Sequence, residues 1–395
     1  MKMFNINRSA ISFLLSKIAE SLDISNSEFD DAEKKYRAIG AWLGDGNSPL
    51  AKYSPQIYPQ GSFLLGTVTK PLGDSSDYDI DLVFELAIPK SEISQKDLKR
   101  YVGNRLRAHE VYRRLLDAEG RRCWTLQYAE TARLHLDILP AVPDNEVAYV
   151  LRKQGVISSF ANTSIAITDN TLLNYEDICL DWPRCNPKGF AAWFRQRMIM
   201  QFTKQQMRMQ EALKAEVENV PEYRIKTSLQ RCVQLLKRHR DVMFEKDQEN
   251  KPASIIFTTL AAHAYGNEDD ITDAMAHIIE GMPKFITKRN GRSWVANPVD
   301  PSENFADRWG DSQSREPRFM QWLVQLRTDI GKLIEYRDID EITGLLSAFF
   351  GEKLSKAAAE EYKKHGSPTN DIATAATVSK PHIVSITRAD KPWGL

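Results

Sequence analysis

Cysteine is scarce, net charge is absent and no apolar run is long. The 395-residue chain has four cysteines, Cys123, Cys179, Cys185 and Cys232. They form no CxxC pair, and Cys179 and Cys185 stand too far apart for a zinc knuckle, which leaves reduced thiols as the expectation. Lys plus Arg and Asp plus Glu both total 53, so the formal charge is zero. A protein that wraps nucleic acid through its overall field is usually basic. The balance argues against such a coat, while a local basic groove stays compatible with it. No segment approaches the ~18 apolar residues of a membrane span. The apolar patch Ala10 to Leu15 lacks the long core and cleavage site of a signal peptide and reads as one face of an amphipathic helix. A cytoplasmic protein is expected. No internal repeat occurs.

What is present is a change of period along the chain. Hydrophobic residues make up 42% and charged residues 27%, enough to bury a core. Residues 8 to 45 carry helical spacing, with Phe29, Ala32, Tyr36, Ile39 and Leu43 on one side. From Ile57 the period shortens. Ile57 to Phe63, Tyr78 to Leu86, Cys123 to Tyr128 and Ala132 to Val142 read as strands, with a helix predicted over Lys96 to Glu119. Residues 160 to 187 read as loop. Beyond Pro187 helices dominate, except at Trp294 to Trp309, where Pro298 and Pro301 forbid a continuous one. The expected class is α+β, a sheet domain plus a helical domain, bilobed with the site in the cleft. The boundaries are N-terminal helices over 1–50, the sheet domain over 51–187, the helical domain over 188–365 and a flexible tail over 366–395.

The chemistry-bearing stretch is YPQGSFLLGTVTKPLGDSSDYDIDLVFEL, residues 58 to 86. Side chains on a strand alternate, so Asp79 and Asp81 share one face while Ile80, Leu82 and Phe84 share the other. A second strand, ARLHLDILPAV, repeats the pattern, with Leu134, Leu136 and Ile138 inward and His135 and Asp137 outward. Were the two strands neighbours, three carboxylates would converge. Like charges so close are costly unless a cation sits among them, and hard oxygen ligands suit Mg²⁺ carrying substrate phosphates. Gly61-Ser62 upstream would let the backbone approach a phosphate. Taken singly, each feature has a plain alternative: a turn for Gly-Ser, a solvated strand face for the acids, a satisfied hydrogen bond for His135. The combination is what is specific.

Gly61-Ser62, Asp79-x-Asp81 and Asp137 together resemble the signature of the DNA polymerase β-like nucleotidyltransferases. The likeness is best to the branch holding oligoadenylate synthases, cyclic GMP–AMP synthase and the bacterial CD-NTases. SLQRCVQLLKRHRDVMF resembles the helix that brings a Lys, here Lys237, to the triphosphate. KPASIIFTTLAAHAYG resembles the next helix, whose early Ser, here Ser254, contacts the same phosphates. NPVDPSENFADRW resembles a late Asn-Pro…Pro-x-x-Asn segment of the helical half.

This resemblance implies an enzyme that joins nucleoside triphosphates into a cyclic di- or trinucleotide for antiphage signalling. Asp79, Asp81 and Asp137 would be catalytic and hold two Mg²⁺, with Mn²⁺ as a substitute. Gly61, Ser62, Lys237 and Ser254 would bind nucleotide. ATP is the implied substrate, with GTP as a second candidate, and the general look leans to the adenine-using, trinucleotide-forming branch. The cyclic product would act on a downstream effector. A ubiquitin-transferase-like partner acting on the tail is implied too. Thr69 and Lys70 read as plain surface loop. Arg195, Arg197, Lys204 and Arg208 share a helix with Met198, Met200, Met207 and Met209, which suggests partial burial, so no double-stranded nucleic acid activator is expected. Two other readings stay open: a template-free transferase acting on RNA ends or protein, and a non-catalytic nucleotide-binding scaffold.

Overall fold

Two hydrophobic cores organise the chain, and the two N-terminal helices go to different ones. The computed structural model describes residues 2–72, 78–128, 134–212 and 225–365. The expected tail over 366–395 lies outside the described residues. Helix α1 (Lys2–Ser21) sends Ile11, Leu14, Leu15 and Ile18 into the core of the helical half. Helix α2 (Asn26–Gly44) sends Ala32, Tyr36, Ile39 and Leu43 into the core beneath the sheet. The single helical span expected over 8 to 45 is broken because Ser25 caps a new helix. Its hydroxyl accepts from the Glu28 N–H, and the Glu28 carboxylate accepts from the Ser25 N–H, a reciprocal capping box.

The sheet strands are β1 (Gln56–Pro59), β2 (Tyr78–Glu85), β3 (Trp124–Gln127), β4 (Leu134–Pro143), β5 (Ile165–Ile167) and β6 (Arg184–Cys185). They lie in the order β1-β2-β4-β5-β6, with β3 also paired to β4. β2 and β4 run parallel, and β3 and β5 pair antiparallel with successive halves of β4. The expected strand over Ile57 to Phe63 stops at Pro59, and helix α3 (Gly61–Leu64) follows. The loop expected over 160 to 187 contains β5 and β6. Each is two or three residues long, too short to announce itself by alternation, and exists because the edge of β4 offers unpaired backbone groups.

One face of this sheet carries Ile80, Leu82, Phe84, Leu134, Leu136 and Ile138 against α2, α4 (Gln95–Arg107) and α5 (Glu110–Leu115). The helix expected over Lys96 to Glu119 is therefore two, interrupted where His109 caps α5. Gly103 on α4 matters for packing: a Cβ there would stand 2.3 Å from Trp124, so only glycine admits the indole. The opposite face has the smaller cluster Tyr58, Val83, Leu139, Ala141, Ile165 and Ile167.

The remaining elements are α6 (Asn145–Lys153), α7 (Ser158–Ala161), α8 (Pro187–Ala212), α9 (Ser228–Met243), α10 (Ser254–Ala264) and α11 (Ile271–Gly281). Short strands β7 (Thr287–Arg289), β8 (Arg292–Trp294), β9 (Ala296–Asn297) and β10 (Asp300–Asn304) precede α12 (Arg315–Glu335), α13 (Ile339–Phe350) and α14 (Glu352–His365). α13 and α14 part at Gly351, whose φ of 102° suits glycine. α9 runs through the helical core with Leu229, Cys232, Val233, Leu235 and Leu236 all buried. Among the described residues no helix is long and apolar enough to cross a membrane.

Candidate active site

The parallel pairing of β2 with β4 sets the acids side by side. Asp81 stands opposite Asp137, and Asp79 opposite His135. β3 extends both rows, Thr125 opposite Asp137 and Gln127 opposite His135. Two cross-strand rows result: Asp81–Asp137–Thr125, and Asp79–His135–Gln127. They sit on the face away from Ile80, Leu136 and Leu126, as alternation requires.

The rows differ in exposure. Asp79 has a side chain 67% exposed, with its carboxylate 3.3 Å from His135 Nδ1. Asp81 lies deeper. Burial first, then the charges of Asp137 and Asp79, push its carboxyl up to about 6. Asp137 accepts a 2.5 Å hydrogen bond from the Thr125 hydroxyl. Among the described residues no three His, Cys, Asp or Glu side chains are drawn together tightly enough to hold an ion as they stand. The carboxylates share a face and a register, but Asp79 leans to His135 and Asp137 to Thr125.

Gly61 closes the site above Asp81. Its φ is +57°, and a Cβ there would lie 2.9 Å from the Asp81 Oδ2. The neighbouring Gln60 N–H donates to the Asp81 carbonyl at 2.8 Å, tying α3 to the end of β1 and to β2. Ser62 takes part through its backbone, its carbonyl accepting from Thr67 N–H at 2.9 Å.

The segment after α3 is held by α9. Gln230 donates to the Leu65 carbonyl at 2.9 Å, Lys226 to Gly66 at 2.6 Å, Lys237 to Thr67 at 2.8 Å and Gln234 to Val68 at 2.8 Å. Arg238 donates to Lys70 and Pro71 at 2.9 and 3.2 Å. Six carbonyls of one loop are thus satisfied by five side chains from α9 and its entry. Thr69 and Lys70 do lie in a surface loop, with Lys70 exposed, but the backbone on either side is clamped and Thr67 is buried. Lys237 is a buried ammonium whose charge is felt at Asp81. Burial and the Arg240 charge draw it down to about 7, while Asp241 and Asp81 pull the other way.

Ser254 begins α10, where its hydroxyl accepts from Arg240 at 2.6 Å. Arg240 and Lys237 lie one turn apart on α9, and Ser254 is bound to Arg240 rather than to Lys237 or the three acids. In the late segment, Asn297 and Asn304 are used in turns. Asn297 donates to Glu303 and accepts from Val299 N–H, and Asn304 accepts from Val295 and Ala306 N–H. On α8, Arg197 donates to the carbonyls of Ala262, His263 and Tyr265, and Lys204 and Arg208 pair with Asp269. Met198 is buried, but Met200 and Met207 are exposed, because they fall on the side of α8 away from the core; the Met209 side chain lies outside the described residues.

The comparisons with known proteins decide the family. Residues 55–140 match the nucleotidyltransferase domain of the family described as cyclic GMP-AMP synthase DncV-like. A c-di-GMP synthase from Roseivirga ehrenbergii is 31% identical over 374 residues, covering 93% of this chain and 92% of that protein. The chain belongs to the bacterial CD-NTases. The cyclic dinucleotide synthase CdnG of Bradyrhizobium diazoefficiens is 24% identical over 79% of this chain and 73% of that one. The structure of CdnG in complex with GTP superposes with a TM-score of 0.68 at 20% identity, covering 89% of this chain and all but 1% of that one (99%). A Vibrio cholerae DncV structure with ATP and GTP gives a TM-score of 0.54 at 15% identity, covering 90% of each chain. These structures share the fold, a polymerase β-like sheet with a helical lobe.

This CD-NTase is therefore an enzyme, a nucleotidyltransferase and cyclic oligonucleotide synthase, of a family that generally uses divalent metals. The motifs point to Asp79, Asp81 and Asp137, which β2 and β4 bring to one face, but not to what surrounds them. Thr125 carries no motif and is found only once β3 is known to flank β4. Lys226, Gln230, Gln234 and Arg238 look like the solvated polar face of a helix. The one available signal was Thr227-x-x-Gln230, a capping box that fixes where α9 starts and hence which side chains face the loop.

Proposed function

We propose that this CD-NTase condenses GTP into a cyclic dinucleotide, using Asp79, Asp81 and Asp137 to hold two Mg²⁺. The observation that carries the reading is the Asp81–Asp137 pair, abreast across β2 and β4 beneath Gly61. The resemblance alone leaned to ATP. The 31% identity to a c-di-GMP synthase over nearly the whole chain supports GTP instead.

The residues fit a divalent cation. The donors are hard carboxylate oxygens, and Asp81, raised first by burial and then by the charges of Asp137 and Asp79, is a carboxylate whose ionised form a cation would favour. When bound, Mg²⁺ supplies charge neutralisation on the triphosphate and makes the acceptor hydroxyl more acidic. The chain's own groups do the rest. Asp79 and Asp81 would hold the ions through which the donor triphosphate binds, since carboxylates alone repel phosphate, and Gly61 lets its phosphates come close to the backbone. Asp137 lies towards the acceptor hydroxyl and accepts its proton. The hydroxyl oxygen forms a new ester bond to the α-phosphorus, the bond from that phosphorus to the β-phosphate oxygen breaks, and pyrophosphate departs. Lys237, shared at present with the Thr67 carbonyl, offsets charge on the leaving group. A second transfer between the two joined nucleotides closes the ring. We extend the reading to a cyclic product acting on an effector in antiphage defence, with no double-stranded nucleic acid activator. The ties of Arg197 to the carbonyls of Ala262, His263 and Tyr265 support that last point, while Lys204 and Arg208 pair with Asp269 at the surface.

The direct test incubates the chain with GTP, with ATP and with both, in Mg²⁺, followed by phosphatase and mass spectrometry. A phosphatase-resistant cyclic product from GTP alone is expected. A product formed only when ATP is present overturns the guanine assignment. A product made equally by the Asp79→Asn, Asp81→Asn double variant overturns the site.

A further inference from the structure

We infer that Thr125 is a positioning residue for Asp137, setting which carboxylate oxygen faces the metal and substrate. This rests on Asp137 being the third carboxylate of the site. Thr125 stands directly opposite Asp137 in the β3–β4 ladder. Its hydroxyl donates to Asp137 Oδ1 at 2.5 Å, at the short end for an O–H to carboxylate bond. A threonine hydroxyl has a single proton, so giving it to Oδ1 commits the group.

The surroundings make that choice directional. Asp137 has the like-charged Asp81 abreast on one side and Thr125 on the other. Repulsion from Asp81 and attraction to Thr125 both turn Oδ1 towards β3. Oδ2 is then the oxygen presented at the Asp81 side, where an ion shared by the two carboxylates has to sit. Thr125 is also a stiff reporter. Its β-branched side chain has few rotamers on a strand, and its neighbours Trp124 and Leu126 are locked into the core on the other face. Among metal sites in general, removing such an outer partner weakens metal affinity or activity by about 10–100-fold.

The test compares Thr125→Val, which keeps the shape and removes the hydroxyl, with Thr125→Ser, which keeps the hydroxyl. Mn²⁺ affinity is read by electron paramagnetic resonance without nucleotide, and cyclic product formation is followed against Mg²⁺ and GTP concentration. For Thr125→Val we expect about tenfold weaker Mn²⁺ binding and a matching rise in the Mg²⁺ needed for half-maximal rate. KM for GTP at saturating Mg²⁺ should stay within about twofold of wild type, and Thr125→Ser should recover most of the loss. Thr125→Val placed on Asp137→Asn should add no further loss of Mn²⁺ binding, since the acid it acts through is altered.

Wild-type Mn²⁺ affinity in Thr125→Val overturns the inference, as does an equal loss in Thr125→Ser, which would mean packing alone. Should Thr125→Val not fold, the serine variant decides. Wild-type metal affinity with the hydroxyl kept supports the inference, and a tenfold loss despite it overturns it. If Asp137→Asn retains full activity, the reading of the site fails first and this inference with it. If Asp137→Asn is inactive while Thr125→Val behaves as wild type, only this inference fails.

Discussion

The two cross-strand rows are built on the same three strands and differ in exposure. Asp81–Asp137–Thr125 is the half-buried, deeper row, with Gly61 against Asp81, and Asp79–His135–Gln127 opens to solvent. In the deep row a carboxylate is held against its preference to be ionised, and its neighbours have single defined partners. In the open row water can replace any partner that is lost. The deep row is where water screens charge least, so it is where a cation gains most. The comparison places most of the rate in the deep row and assigns the open row an adjusting role, except that Asp79 itself supplies a carboxylate.

The strongest way to break this contrast is Asp81→Asn. Cyclic product formation should fall by about 10²–10³-fold, the loss typical of removing one preorganised electrostatic group. Stability should move the other way. Asp81 titrates near 6 in the folded chain, above its ordinary 3.8. Above pH 6 it is ionised in both folded and unfolded states, and the folded state carries the whole penalty. Below about pH 4 it is neutral in both and the penalty is gone. In EDTA the variant should therefore unfold with a free energy on the order of 2 kcal/mol greater than wild type at pH 8. That gain should shrink steadily between pH 6 and pH 4. Denaturant titrations at several pH values check it; a variant less stable than wild type at pH 8 would remove the deep row's electrostatic character.

Lys237→Met probes the cation that faces this row from α9. The Met keeps the apolar stem, so the Thr67 carbonyl loses a donor and the triphosphate loses a charge. KM for GTP should rise about tenfold, in line with one charge-assisted hydrogen bond. Metal affinity in the absence of nucleotide should hardly change. A loss in Mn²⁺ binding as large as that in KM would show Lys237 acting through the loop.

Gly61→Ala sharpens the roof of the deep row. A left-handed backbone costs a residue with a Cβ about 1–2 kcal/mol, and that Cβ would meet the Asp81 carboxylate at 2.9 Å. Activity should fall more than stability, because the contact displaces a ligand. Equal losses in both would reduce Gly61 to a turn.

How much of this was legible follows from what alternation can and cannot say. The apolar positions Ile80, Leu82, Phe84 and Leu134, Leu136, Ile138 declare two strands and the face each turns outward. They do not declare register. A slip of two residues would keep every side chain on its proper face, yet set Asp81 against His135. The pairing that makes Asp137 its neighbour comes from the whole sheet. Likewise the spacing in α1 and α2 declares two apolar stripes without saying that one meets α9 and the other the sheet. Lys237 was reached through resemblance, but its hold on Thr67 could not be, since a helix sequence says nothing of the loop laid across it. The short strands β5 and β6 hide for a related reason: three residues carry too few alternations, and their backbone partners lie far along the chain.

The smallest effect belongs to the open row, and His135→Leu measures it. His135 Nδ1 lies 3.3 Å from an Asp79 carboxylate that is 67% exposed. Exposed pairs of this kind contribute about 0–1 kcal/mol, because water offers each group nearly as good a partner. Rate and Mn²⁺ affinity should both stay within about threefold of wild type by that measure. Asp79→Asn, one bond pair away, should by contrast lose activity with no gain in stability, since its carboxylate bears little of the burial that strains Asp81. A loss above tenfold in His135→Leu would mean that Asp79 is aimed by its neighbour as Asp137 is by Thr125. The two rows would then differ in depth alone, and the division between a deep row that does the chemistry and an open row that adjusts it would have to be dropped.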